Sequence, residues 1–140
     1  MNMILTASPH PDDVNHIRQQ LTAFNQTHVD LDAIKTLAVF IHDERGHKTA
    51  RLLAITWGNW MQIQFLWVNE SLRGTGLGAR MLQAAEAEAR SRGCHSALVD
   101  TFSFQARGFY ERQGYLLQMT LEQMPYHHRQ HYLVKALIPE

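Results

Sequence analysis

An α/β (α+β) fold, a mixed and mostly antiparallel sheet with flanking helices, is what this sequence predicts, and three observations carry it. Apolar runs near residues 37–41, 48–57 and 60–68, the last two joined by Gly58-Asn59, form the pattern of an antiparallel meander. A glycine-spaced loop, Gly74-Thr75-Gly76-Leu77-Gly78, then leads from an apolar strand into a long amphipathic helix. The short apolar run at 96–99 fits a parallel strand reached by that helical crossover.

Residues 3–6 fit a short first strand. Asp12 or Asp13 can cap a helix in which Val14, Ile17, Leu21 and Phe24 recur at helical spacing, ending near Asn25. Residues 27–36 stay open between a second short helix and a loop. The strand at 37–41 is followed by a turn, Asp43-Glu44-Arg45-Gly46, whose glycine supplies a positive φ. In the strand at 60–68, Gln62 and Gln64 first alternate with Met61, Ile63 and Phe65. Leu66-Trp67-Val68 is then apolar on both faces, as in a strand entering a fully covered part of a sheet. A helix over about 76–92 places Leu77, Met81, Leu82, Ala85 and Ala89 on one stripe, with Gly93 as its stop. A shorter helix at 105–113 ends at Gly114, and runs at 115–121 and 130–137 form a closing pair of strands. No repeat, low-complexity tract or linker interrupts the chain, so residues 1–140 are expected to form one domain.

Composition narrows the function classes. A hydrophobic content of 45% with 19% charged residues fits a globular protein and not a disordered one. Formal net charge is zero, which gives no reason to expect nucleic acid or an anionic membrane as partner. One cysteine, Cys94, excludes an internal disulfide framework and suits a reducing cytoplasm. No apolar stretch approaches the roughly 20 residues of a membrane helix. Residues 1–13 lack the pattern of a signal peptide, so a cytoplasmic location is expected.

The glycine loop carries the chemistry. Backbone N–H groups converge there without obstruction, and the helix N-terminus adds unpaired donors and partial positive charge. Phosphate or pyrophosphate is the natural ligand of such a nest. Read strictly, Gly74-Thr75-Gly76-Leu77-Gly78-Ala79 satisfies the dinucleotide pattern, and Asp100 closes the next strand where a ribose-binding acid belongs. Three features oppose that reading. Five residues separate Val68 from Gly74, an antiparallel meander precedes the motif, and 140 residues hardly supply a dehydrogenase's substrate region.

The arginine-led version of the loop, Arg73-x-x-Gly76-x-Gly78, resembles the acyl-CoA loop of the GNAT superfamily of N-acetyltransferases. Phe109-Tyr110-Glu111-x-x-Gly114-Tyr115 is similar to that superfamily's second motif, one helix and one strand downstream. Leu66-Trp67-Val68, together with the run from Asp100 to Ala106, further resembles small stand-alone bacterial members. The likeness spans the chain in order, strongest over 60–115 and weak in the first 35 residues.

The resemblance implies that the 60–68 strand and the parallel strand after the long helix splay apart, with acetyl-CoA as co-substrate in the opening and no metal. Backbone amides of Arg73, Gly74, Thr75, Gly76, Leu77, Gly78 and Ala79 would hold the pyrophosphate. Backbone groups of Trp67 and Val68 would pair with the pantetheine arm, and an amide near Leu66 to Val68 would polarise the thioester carbonyl. Ser103, seven residues before Tyr110, falls where the superfamily often has an asparagine on the cofactor arm; serine can still donate or accept there. Tyr110 matches the motif tyrosine and is the expected general acid for the departing thiolate. The attacking amine must lose a proton, because an alkylamine has a pKa near about 10.4. Gln62 and Gln64 occupy the strand positions where some relatives keep a glutamate, so the base is left open between Asp100, the best candidate, and a water chain with no named base.

Trp57, Trp60, Trp67, Phe102 and Phe104 fit an acceptor cleft, though aromatic clusters in strands are more often core. His127, His128 and His131 read as a solvated polar segment before the last strand, and Cys94 as a buried structural thiol. The function so implied is acetyl transfer to a primary amine of a small molecule or peptide by direct attack. A non-catalytic acyl-CoA-binding module of the same fold is the alternative. Oligomeric state stays open, a homodimer included.

Overall fold

The computed structural model describes residues 1–138, so the last two residues of the expected 1–140 domain lie outside the described residues. The chain divides into two compact units, residues 1–33 and residues 34 onward. The first holds helix α1, Pro11–Gln26, and a single 3-10 turn, Leu31–Ala33. Proline opens α1, where its missing N–H costs nothing. His10 Nδ1, and not an aspartate, accepts from the Asp12 amide at 3.1 Å as the cap. Residues 3–6 form no strand, which corrects the sequence expectation. The stripe of α1 has helical spacing, yet Ile17, Leu21 and Phe24 are all exposed.

The second unit is a six-stranded sheet. Its strands are β1 Lys35–His42, β2 Lys48–Trp57, β3 Trp60–Val68, β4 Ser96–Phe102, β5 Leu116–Leu121 and β6 Gln130–Ala136, in the order β1-β2-β3-β4-β6-β5. Only β3 and β4 run parallel. Their crossover contains helix α2, Leu77–Ser91, and a short helix α3, Arg107–Arg112, follows β4.

Helix α2 packs its Met81, Leu82, Ala85 and Ala89 into a core with Leu37, Ala50, Leu52, Ala54, Met61, Ile63, Ala97 and Val99. Alanines facing each other at 50, 54, 85, 89 and 97 let the helix axis approach the strands closely, and the larger side chains fill between them. At the C-terminal end of α2, Arg92 donates to the Thr36 carbonyl at 3.0 Å and to Thr56 Oγ1 at 3.1 Å, pinning helix to sheet. Cys94 is fully buried beside this end, and burial pushes its thiol pKa up.

Strand β3 departs from expectation in its second half. Leu53 pairs with Phe65 but Ala54 pairs with Ile63, so Gln64 is the extra residue of a β-bulge. The bulge exchanges the faces: Met61 and Ile63 point to the core before it, Leu66 and Val68 after it. Phe65 and Trp67 are therefore delivered to the opposite face, where they are 70% and 53% exposed and not covered. Trp57, Trp60 and Phe104 are also exposed, which overturns the core reading of that aromatic set.

Candidate active site

The ladder between β3 and β4 has four rungs, from Trp60–Ser96 to Ile63–Val99, and stops there. Beyond it β3 runs on for five residues beside β2, and β4 continues through Phe102 beside β6. The two strands thus part at the bulge, leaving an opening along which β3 has no β4 partner. Its direction follows from one hydrogen bond. The Asn69 amide donates to the Thr49 carbonyl at 2.9 Å, and peptide groups alternate along an antiparallel strand. Those of Leu66 and Val68 accordingly turn into the opening, while that of Trp67 turns toward its β2 partner Arg51.

Next to the opening, the chain makes a 3-10 turn, Glu70–Leu72, and enters α2 through the glycine loop. Arg73 folds back on β3: its Nε donates to the Val68 carbonyl at 3.1 Å and its guanidinium lies 4.5 Å from the Trp67 ring centroid. Its amide bonds to the Glu70 carbonyl, and Thr75 Oγ1 to the Leu72 carbonyl, so the turn is held from within. From Gly74 to Ala79 the backbone amides have no protein acceptor among the described residues; Arg80 is the first to bond, to Gly76. Gly74 and Gly76 sit at φ +81° and +85°, which side-chain-bearing residues adopt only at a cost, and Gly76 offers no side-chain cap. Six N–H groups at a helix mouth, with the macrodipole behind them, form an anion cradle. Gly78 serves a different end: a Cβ there would lie 3.3 Å from the Phe109 ring, so this glycine lets α3 approach α2.

Tyr110 follows Phe109 on α3 and is buried, its ring edge-on to Phe109 at 5.1 Å and to Tyr115 at 5.8 Å. Its hydroxyl makes no hydrogen bond among the described residues, and no fully buried side-chain polar atom among them is unsatisfied. The oxygen is therefore the part of Tyr110 that reaches the surface. Burial, and then the nearby Asp100 carboxylate, push this hydroxyl up to about 12, so it stays protonated at any physiological pH. Asp100 lies one residue past the last rung, on the face opposite Val99, with its carboxylate exposed. Gln130 Nε2 donates to its Oδ2 at 3.0 Å and fixes its orientation. Tyr110 packs in the core with α2, and Asp100 lies on the opposite face of β4, near enough for its charge to act on the tyrosine hydroxyl.

Ser103 is engaged elsewhere. Its Oγ accepts from the Arg129 amide at 3.1 Å and lies 3.5 Å from His128 Nδ1, tying the loop after β4 to the loop before β6. His131 is not solvated as the sequence suggested: it is buried on β6, 2.8 Å from Thr120 Oγ1. Sequence reasoning missed the bulge at Gln64, the Gln130 contact and the role of Phe109, none of which leaves a local signal. It also missed Glu86, which is buried on α2 and accepts from Tyr115 Oη at 2.8 Å and Lys135 Nζ at 2.9 Å. In an amphipathic stripe a glutamate reads as solvated.

Such a mixed sheet, parted at its one parallel junction beside an anion-binding helix mouth, is the architecture of an acyl-CoA acyltransferase. Comparison with known proteins makes the class specific. Residues 17–115 match the model of the acetyltransferase (GNAT) family, and the chain belongs to that family. A blasticidin-S acetyltransferase of Streptomyces morookaense is 36% identical over 132 residues, 92% of this chain and 97% of that protein. The crystal structure of an acetyltransferase from Bacillus cereus superposes with a TM-score of 0.85 at 27% identity, covering 97% of this chain and 99% of that one. An aminoglycoside 6'-N-acetyltransferase complexed with coenzyme A shares the fold, with a TM-score of 0.69 at 17% identity over 100% and 99% of the two chains. The protein is an acyltransferase.

Proposed function

We propose that residues 1–140 act as one acyltransferase domain that moves the acetyl group of acetyl-CoA to a primary amine by direct attack. The observation that carries this reading is the row of open amides from Gly74 to Ala79 beside the stretch of β3 that has no β4 partner. Such a row of free donors at a helix N-terminus suits a diphosphate. The inward peptide groups of Leu66 and Val68 extend the row, and an arm running from the cradle along β3 would meet them next. An amide hydrogen aimed at a thioester oxygen stabilises the charge that develops there. Trp67 contributes its ring, as the platform on which Arg73 closes the turn.

Tyr110 is assigned the leaving sulfur, a role its protonated hydroxyl supports. With its pKa near about 12, against about 8.5 for an ordinary thiol, it donates a hydrogen bond to a thiolate without surrendering the proton outright. Asp100, on the other face, attracts the acceptor's ammonium and takes its proton, directly or through water. Ser103 keeps the two neighbouring loops together and in that way supports the mouth of the opening.

The relative of Streptomyces morookaense directs the choice of acceptor to a small amine-bearing antibiotic, and blasticidin S is the first to try. A cytoplasmic location suits that substrate class. The test is release of free thiol from acetyl-CoA, followed with blasticidin S and a panel of amines and polyamines. Sustained release with one acceptor, and its acetylated product by mass spectrometry, is the expected result. A melting midpoint raised by acetyl-CoA with no release from any acceptor would instead make the chain a binding module.

A further inference from the structure

The bulge at Gln64 sends Phe65 to the face of the sheet away from α2, and the alternation of β4 places Asp100 and Phe102 on that same face. Because the ladder ends at Ile63 and Val99, Phe65 stands on one bank of the opening and Asp100 and Phe102 on the other. The far bank is built up further. Phe102 and Phe104 stack with ring centroids 5.3 Å apart and planes 2° from parallel, and Phe104 meets His128 edge-on at 4.8 Å. Phe65 is 70% exposed and Phe104 59%. On the same face as Phe102, the Asp100 carboxylate is held by Gln130 at 3.0 Å and engages no cation among the described residues.

We propose that Phe65, the Phe102–Phe104 stack and Asp100 form the acceptor subsite, and that it selects an amine carrying a planar aromatic ring over an aliphatic amine of the same size. The inference rests on the acetyltransferase reading of this opening and names its substrate class. Rings stack on rings with a preference beyond the area they bury, and an ammonium is drawn both to the ring faces and to the carboxylate. An aliphatic amine engages the carboxylate equally, and its ammonium meets the ring faces equally, but it lacks the ring-on-ring preference. Two good ring contacts correspond to roughly a tenfold preference.

The experiment compares 2-phenylethylamine with 2-cyclohexylethylamine, matched in carbon count and amine but not in π-face. KM is read from thiol release, and equilibrium binding to the CoA complex from calorimetry. The expected KM ratio favours the phenyl compound about tenfold. Phe65→Leu and Phe104→Leu each move the ratio toward one, Phe65→Tyr retains it, and Asp100→Asn weakens binding of both amines alike. Equal KM and equal affinity for the two amines in the unmodified protein would overturn the inference, as would a Phe65→Leu ratio identical to the parent's. Calorimetry separates the two readings. Were no amine to release thiol, the acetyltransferase reading would fall, while a phenyl preference in binding would still support the subsite and equal binding would remove it. Phe65 is exposed, so its substitution leaves the core intact.

Discussion

A Cβ built on Gly78 would come within 3.3 Å of Phe109 Cζ, so the first turn of α2 touches the helix that carries Tyr110 through a glycine and a ring tip. The glycine loop and Tyr110, the two parts of the proposed site, are thereby linked through this contact. Gly78→Ala should push Phe109 outward, costing about 1 kcal/mol of stability and lowering kcat through displacement of Tyr110. Coenzyme affinity should change little, because the φ of Gly78 is not positive. Gly76→Ala is the contrast: at φ +85° an alanine is strained by about 1–2 kcal/mol, and the amides beside it turn away. Calorimetric Kd for CoA should weaken in Gly76→Ala and hold in Gly78→Ala; equal weakening in both would refute this division of roles.

Tyr110→Phe tests the hydroxyl as the hydrogen-bond donor to the departing thiolate. Removing one hydroxyl from a buried ring whose oxygen reaches the surface leaves the packing against Phe109 and Tyr115 in place. The expected outcome is a fall in kcat of about 100-fold or more, with CoA affinity nearly intact. Since burial and Asp100 hold the hydroxyl near about 12, the parent enzyme should show no loss of rate from tyrosine ionisation up to pH 10. Equal losses of affinity and turnover in the variant would mean that the hydroxyl is structural.

Much of this site was legible because its signals are local. Gly74 and Gly76 announce positive φ, Phe65 to Val68 announces a strand, and the spacing from Arg73 to Tyr110 fixes order along the chain. The bulge was not legible: Gln62-Ile63-Gln64-Phe65 alternates without a break, and only the register against β2 shows that Gln64 has no partner. Glu86 and His131 escaped for a related reason. Each is polar at a buried position, tolerated because of a partner 11 residues away for His131 and 29 and 49 away for Glu86, which leaves no trace in a local pattern.

His131 makes stability pH-dependent in the acid range. Burial, then the guanidinium groups of Arg107 and Arg129, hold its pKa below the ordinary histidine value. The unfolded chain therefore binds a proton that the folded chain refuses, and stability rises with pH across that window. Read downward, this contribution is complete above about pH 6.5 and is lost as the pH falls toward the depressed folded value. Melting midpoints between pH 7.5 and 5.5 should drop less steeply in His131→Gln, which keeps a partner for Thr120, than in the parent. Parallel slopes would assign the acid sensitivity to other groups.

The buried carboxylate of Glu86 offers the sharpest test of what holds the two helices to the sheet. It receives Tyr115 Oη at 2.8 Å on one oxygen and Lys135 Nζ at 2.9 Å on the other, so one residue of α2 is bonded to the segment between α3 and β5 and to β6. Burial, then the adjacent Glu86 charge, drive the Tyr115 hydroxyl pKa upward, and it remains a donor throughout the accessible pH range. Glu86→Ala strips both donors at once and leaves a poorly hydrated ammonium; the expected cost is about 3–5 kcal/mol in urea unfolding. Glu86→Gln keeps an acceptor for Tyr115 and should cost less. The pair Glu86→Leu with Lys135→Met removes charge from both sides and should recover most of the loss, because desolvating an ion pair consumes much of what its attraction supplies. If the double variant were as unstable as Glu86→Ala, the deficit would lie in the orphaned Tyr115 hydroxyl and not in the unpaired lysine, and Tyr115→Phe in that background would then restore it.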